Sequence, residues 1–325
     1  MAERFFYVIR IALPVQQDCI VLPCKTGILN QRTKAHLALL FTNLFFAINF
    51  TAVKQLINQG LVKPFGLNLL RVGISAILLW TLFLFSNKKL RFQRRHLGRF
   101  VLCALTGIAI NQLLFIKGLS LTYPIHASLL MLTTPILITV IAAWLLKEPV
   151  NGYKISGLLL GIAGATVLVT SRDSTGAASE VLLGDILILL NAISYTFYFI
   201  LVRPLMKAYD PISVIRTVFT IGFFMILPFC WQEFREIPWE SYTMQSYSLL
   251  ALIVIGGTFL AYLFNVYGIK MLGASIAGAY IYAQPVFAAI IAVLFLGEYI
   301  SLYKLIAALL IFTGVYLANK TNSNA

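Results

Sequence analysis

The chain has 325 residues, of which 60% are hydrophobic and only 11% charged, with a mean hydropathy of +0.89. Soluble domains carry about 25% charged residues, so the composition argues against a water-soluble globule. An outer-membrane barrel does not fit either, because its strands alternate over roughly 10 residues, whereas the apolar runs here are apolar all round.

Residues 1–34 come first and are hard to class. Phe5 to Leu22 is partly apolar, but Arg10, Pro14, Gln16, Gln17 and Asp18 interrupt it, and no small-residue cleavage site follows. A span needs about 20 apolar residues, so this segment is expected to be a cytoplasmic or interfacial extension rather than a helix across the bilayer or a signal peptide. Beyond it, long runs without charge, such as Val72 to Asn87, Ile186 to Val202 and Met271 to Gly297, set the pattern. Ten membrane helices are predicted near 36–57, 65–86, 97–118, 124–146, 153–170, 182–204, 211–231, 247–270, 274–296 and 301–319. The fold class is therefore all-α, a polytopic membrane protein.

The formal charge of +14 does not signal nucleic acid. With the N-terminus inside, the inner segments hold most of the Lys and Arg, including the cluster from Lys88 to Arg99. The outer segments hold Lys54, Lys63, Lys117, Arg172, Arg235 and Lys304. That bias obeys the positive-inside rule and predicts both termini in the cytoplasm. The basic cluster reads as a topology anchor, with anionic lipid headgroups as the alternative partner.

The second half repeats part of the first. Pro135, Glu148, Tyr153-Lys154 and Gly164 recur as Pro285, Glu298, Tyr303-Lys304 and Gly314, a shift of 150 (285 − 135), which also pairs Gly107 with Gly257 and Gly118 with Gly268. Upstream the register drifts: Arg71 meets Arg216 at 145 and Asn43 meets Asn191 at 148. Five spans per unit would set the two units upside down relative to each other, which predicts inverted repeats. The expected organisation is an extension at 1–34, repeats at 35–171 and 181–320, a linker at 172–180 and a tail at 321–325.

Residues 41–54, Phe-Thr-Asn-Leu-Phe-Phe-Ala-Ile-Asn-Phe-Thr-Ala-Val-Lys, resemble the first helix of EamA-type drug/metabolite transporters. Pro135 through Lys147-Glu148 resembles the end of that family's fourth helix, and Gln284-Pro285 through Gly297-Glu298 its ninth. Gly157, Gly161 and Gly164 resemble the fifth, and Gly314-Val315-Tyr316-Leu317 the tenth. The resemblance covers roughly 36–319. Phe46-Ala47 departs from it, standing where the family usually has Trp-Gly, so site chemistry is not carried over there. The resemblance implies a ten-helix bundle with a central cavity.

Polar side chains inside hydrocarbon tend to face a bundle interior or a cavity. The candidate substrate-binding residues are Asn43, Asn49, Asn111, Gln112, Thr134, Asn191, Tyr195, Tyr198, Tyr262, Asn265, Tyr280 and Gln284. Interhelical hydrogen bonding, worth about 0.6 kcal/mol, is the plainer reading of each Asn and Gln. Asn191, Tyr195, Tyr198, Tyr280 and Gln284 are expected to converge on one cavity with Asn43 and Asn111. Pro135 and Pro285 read as mid-helix kinks or hinges, and Glu148 and Glu298 as structural or gating pairs near the faces. Arg71 and Arg216, each about six residues into its helix, read as arginines that snorkel to an interface or latch a gate; they tilt the substrate toward a carboxylate.

Cys19, Cys24, Cys103 and Cys230 have no metal-site spacing, and His36, His96 and His126 lie far apart. No HExxH, GxSxG or phosphate-binding loop occurs. The reading is a secondary transporter, not an enzyme, without cofactor or metal. It would move a small polar metabolite, an amino acid or related compound, with export the expected direction, across a bacterial inner membrane by alternating access. A membrane-embedded enzyme or a lipid flippase is the alternative. The bilayer and the substrate are the expected partners, with a homodimer as a candidate assembly. No acid is expected deep in a span, which favours facilitated diffusion or exchange, with Asp185 the exception should helix 6 begin earlier.

Overall fold

A computed structural model describes residues 31–85, 93–134, 136–137, 141, 152–170, 178–272, 280–297 and 299–319. The predicted sites Pro135, Glu148 and Glu298 lie outside the described residues, as do residues 1–30 and 321–325 and most of the expected linker.

The described residues are helical, with no strand among them. In chain order the helices are α1 (Gln31–Asn58), α2 (Pro64–Leu84), α3 (Arg94–Leu121), α4 (Pro124–Met131), α5 (Gly152–Thr170), α6 (Ala178–Ala208) and α7 (Pro211–Arg235). Helix α8 joins Met244–Ala251, Leu252–Leu260 and Ala261–Leu272; α9 is Ala283–Leu296 and α10 is Leu302–Asn319. Among the described residues, six of these helices are long and apolar enough to cross a membrane, and Ile155–Val167, Ala283–Leu296 and Leu302–Gly314 are shorter apolar helices. Large apolar side chains such as Leu84, Phe85, Phe224, Phe229 and Leu294 point outward. Water would penalise that surface, but lipid tails are as apolar as the side chains themselves. This is a membrane-embedded, multi-pass protein.

Local chemistry sets the helix starts. Pro64, Pro124 and Pro211 each open a helix, where the missing N–H has no intrahelical partner to lose. The first N–H groups of the helix, those of Phe65 and Gly66, are capped from across the bundle by Glu233 Oε2 at 2.7 and 3.2 Å. Gly297 ends α9 at φ +66°, a left-handed backbone that favours glycine.

Packing follows the repeat. Helix α3 packs on α6 and α8 on α1; α4 packs on α6 and α9 on α1; α2 packs on α7, and α5 on α10. Exchanging the halves (α1 for α6, α2 for α7 and so on) maps this set of pairs onto itself. Each of the two buried cores accordingly draws on both halves. One includes Phe50 and Val53 with Ile116, Ile188 and Ile253; the other includes Val72 and Phe100 with Val218, Phe219 and Leu263.

Two further features obey the same exchange. Helix α3 widens into a π-helical turn at Leu105–Ala109, and α8 does so at Leu252–Leu260. These turns contain the repeat-paired Gly107 and Gly257. A Cβ on Gly107 would sit 2.4 Å from the Tyr198 ring, and one on Gly257 would sit 2.7 Å from Asn49 Cβ. Glycine lets α6 press on the first turn and α1 on the second. At the α5–α10 seam the backbones touch: a Cβ on Gly314 would fall 2.7 Å from Gly157 O, and one on its counterpart Gly164 would fall 3.0 Å from Ala307 O.

Candidate functional site

The centre of the molecule is marked by one hydrogen bond. Gln112 Nε2 on α3 donates to Tyr262 Oη on α8 at 3.0 Å. The two positions differ by 150 (262 − 112), so each is the other's repeat counterpart. A residue can bond its own counterpart only where the two halves meet.

Aromatic and polar groups gather round that bond. The Tyr262 ring meets Phe46 of α1 edge-on at 5.9 Å and Phe219 of α7 at 5.2 Å. Tyr195 and Tyr198 of α6 lie with ring centroids 5.8 Å apart, and both are within electrostatic reach of Tyr262. All three tyrosines are enclosed by protein yet retain accessible surface. Side chains deep in a bundle that keep accessible surface face an internal space. Pockets lined by aromatic rings with a few placed polar groups are the usual form of small-molecule sites.

Arg71 reaches this centre from α2. Its Nε donates to Thr258 Oγ1 at 3.1 Å, and its guanidinium lies 5.8 Å from the Phe115 ring centroid. The widened turn of α8 prepares Thr258 for this: the hydroxyl donates back to Ile253 O, five residues earlier, at 3.0 Å, leaving a lone pair for the arginine. Arg71 is 3% exposed and Arg216 1%. The expectation that either snorkels to an interface is therefore corrected. Arg216 differs from its counterpart because the position equivalent to Thr258 is Ile108. With no hydroxyl there, Arg216 sits on aromatic faces, its guanidinium carbon 3.7 Å from the Phe83 centroid and 4.3 Å from that of Trp80.

The remaining predicted residues divide. Asn111 and Asn191 bond each other's backbones, Asn191 Nδ2 to Asn111 O at 2.7 Å and Asn111 Nδ2 to Asn191 O at 3.3 Å. They pin α3 to α6 and spend their donors on it. Asn43 donates to Leu39 O of its own helix at 2.8 Å. Asn49 is buried against Gly257, Thr134 and Gln284 are buried, and Asn265 is half-buried. Tyr280 does not join the tyrosine cluster. Its Oη lies 2.8 Å from His36 Nδ1 at the start of α1, ten residues before Phe46, or about 15 Å along the helix axis at 1.5 Å per residue. Pro285 is the third residue of α9 and buried. It follows a turn at Ile281–Tyr282 that separates it from the helical Tyr280.

Sequence reasoning missed a second polar contact. Helix α6 begins at Ala178, so Asp185 lies inside it and is 0% exposed. It accepts from Thr122 Oγ1 and lies 3.0 Å from His126 Nδ1 of α4. The expectation that no acid is buried in a span fails here, because the helix starts earlier than the charge pattern implied. Exchange of the halves relates the α6–α4 pair to the α1–α9 pair, and His36 of α1 meets Tyr280, three residues before α9. Phe46, Phe115, Phe219 and Thr258 were also missed; a Phe or a lone Thr in an apolar run carries no sequence signal of its position.

Outside the spans, Lys63 Nζ lies 2.6 Å from Glu236 Oε2 and ties the α1–α2 loop to the end of α7. Their hydrogen bond, with the Coulomb attraction behind it, raises the Lys63 pKa and lowers that of Glu236.

Comparison with known proteins agrees with this architecture. A solved crystal structure superposes with a TM-score of 0.61 at 21% identity, over 89% of this chain and 97% of that one, a likeness of fold. The chain is 27% identical over 294 residues to the uncharacterized transporter YoaV of Bacillus subtilis, covering 89% of this chain and 98% of that protein. It is 24% identical to an uncharacterized transporter of Archaeoglobus fulgidus, over 88% and 97%. A WAT1-related protein of Arabidopsis thaliana is 26% identical over 316 residues, 88% of this chain and 85% of that one. The model of the EamA-like transporter family matches residues 33–170 and again 182–320. Two matched copies span nearly the whole described bundle, and the chain belongs to the EamA-like transporter family, a membrane transporter rather than an enzyme.

Proposed function

We propose that the protein moves a small polar metabolite across the membrane by alternating access between two inverted halves. The observation that carries this reading is the Gln112–Tyr262 bond between repeat counterparts, set among Tyr195, Tyr198 and Arg71. A site where two repeats meet is where such transporters bind their cargo. The two end contacts supply the gates. Asp185 with His126 joins the second half's first helix to the first half's fourth, and His36 with Tyr280 joins the first half's first helix to the segment just before the second half's fourth. In an inverted arrangement they lie at opposite faces, and opening either side of the centre requires breaking one of them. The charge bias supports cytoplasmic termini; export across a bacterial inner membrane is the direction proposed.

Transport into vesicles of purified protein tests this, using radiolabelled amino acids and related metabolites. Tyr195→Ala should cut uptake of any transported compound at least tenfold while leaving membrane abundance unchanged. Normal uptake in that variant would remove the tyrosine cluster from the substrate path.

A further inference from the structure

Arg71 is a buried cation beside the tyrosine cluster, without a counter-charge among the described residues. Among the described residues its side chain makes one hydrogen bond, from Nε to Thr258, and Nη1 finds no partner. No described carboxylate pairs with it; Glu236 pairs with Lys63 at the rim, and Asp185 with His126 between α6 and α4. A buried, uncompensated guanidinium is destabilising, and sequences keep such a group in a membrane span where it acts on a ligand or an ion path. Arg216, equally buried and with Nε and Nη1 also without a partner, lies against the Trp80 and Phe83 rings instead. Both arginines lack a carboxylate partner among the described residues; Arg71 is the one within electrostatic reach of Tyr262 in the tyrosine cluster.

We infer that the central site takes an organic monocarboxylate, its carboxylate seated on the free edge of Arg71 and its apolar body among the rings of Phe46, Phe115 and Tyr262; this rests on the transport reading above. A guanidinium edge matches the two oxygens of a carboxylate. One cation compensates one negative charge, so a phosphate ester, with nearly two, is left partly unpaired. The rings favour a compound with an apolar body over a small inorganic anion.

Matched pairs of acid and amide test the assignment on the wild-type protein. Benzoate and hexanoate, set against benzamide and hexanamide, are compared by equilibrium dialysis and by the rise they cause in unfolding temperature. Both acids should bind and stabilise, and the amides should bind roughly a hundredfold more weakly, the cost of leaving a buried charge unpaired. Arg71→Gln should erase the preference for acid over amide, and Arg71→Lys should keep part of it. Arg216→Gln should leave the ratio unchanged. Amides binding as well as acids overturns the assignment, as does a panel in which no acid binds. Phenyl phosphate binding more tightly than benzoate also overturns it. Should Arg71→Gln fail to fold, the wild-type pairs decide alone. Acids that bind and are not carried across vesicles would leave the assignment standing and overturn the transport reading.

Discussion

Substituting alanine at Gly314 sets two known effects against each other. A Cβ there lands 2.7 Å from Gly157 O and 2.8 Å from Gly161 N. These are backbone atoms and cannot rotate aside. An ordinary carbon–oxygen contact is about 3.3 Å, so α5 and α10 must part by about 0.6 Å. A gap of that size forfeits about a quarter of the dispersion well of each atom pair across the seam. About 50 pairs at about 0.15 kcal/mol each then lose about 2 kcal/mol, within the usual range for overpacking. Alanine in place of glycine inside a helix returns about 1 kcal/mol, leaving a net loss of about 1 kcal/mol. At Gly164 the nearest backbone atoms are 3.0 Å away, the parting is smaller, and the two effects roughly cancel. Gly98 of α3 has nothing within 4 Å, so Gly98→Ala should gain up to about 1 kcal/mol. The expected order of stability is therefore Gly98→Ala, wild type level with Gly164→Ala, then Gly314→Ala. The Gly164→Ala, Gly314→Ala double variant should be about 1 kcal/mol more stable than Gly314→Ala alone, since one parting clears both overlaps and the second alanine adds its own helical gain. Denaturation in mixed micelles measures the series. Gly314→Ala as stable as Gly98→Ala would show that the seam is not a backbone contact.

Reporter fusions at Ser86, Gly176 and Asn319 should read inside, outside and inside; an outside signal at Asn319 would end the inverted-repeat model. An imposed pH gradient should drive uphill accumulation of substrate by the wild type, because Asp185 is a wholly buried carboxylate beside His126, a costly group that coupled carriers keep for a proton. Asp185→Asn should only equilibrate substrate, and undiminished accumulation in that variant would return the protein to facilitated diffusion. The Lys63–Glu236 pair predicts a pH window. Glu236 is lowered below 4.5, so its contribution is present above 4.5 and lost as pH falls through the depressed value; Lys63 is raised above 10.5, so its share is present below 10.5 and lost as pH rises through the raised one. The difference in unfolding temperature between wild type and Glu236→Gln should be flat between those limits and vanish in about 1 M salt. A difference that grows below pH 4.5 would contradict the pairing.

The membrane made much of this fold readable. A bilayer punishes charge along a span, so charge-free runs lie close to where the described helices lie. The repeat register reached further than helix positions: Gly107 and Gly257, paired by a shift of 150, both fall inside π turns. The site was half legible. Tyr195, Tyr198, Gln112 and Tyr262 stand out because polar groups are rare in apolar helices, and they do converge. Tyr280 stands out for the same reason but ends beside His36, because helical spacing gives a face and says nothing of depth relative to another helix. Asp185 was expected near the start of its span; the helix begins at Ala178, which sets it further in. Thr258 was invisible: its role depends on a widened turn that the apolar run Leu252–Leu260 does not announce.

The exchanged packing of the halves has a consequence for how the chain is made. Helix α1 packs on α8 and α9, some 200 residues downstream of it. A ribosome adding about 5–20 residues per second needs roughly 10–40 s to deliver them. During that interval α1, with its buried Asn43 and Asn49, has no native neighbour on that face. The second half waits far less, because α6 emerges with α3 and α4 already in the bilayer. Assembly is therefore asymmetric in time even though the finished contacts are symmetric. The vulnerable species is a nascent chain whose first helix is exposed to lipid, where degradation machinery and any stray copy compete for its polar face.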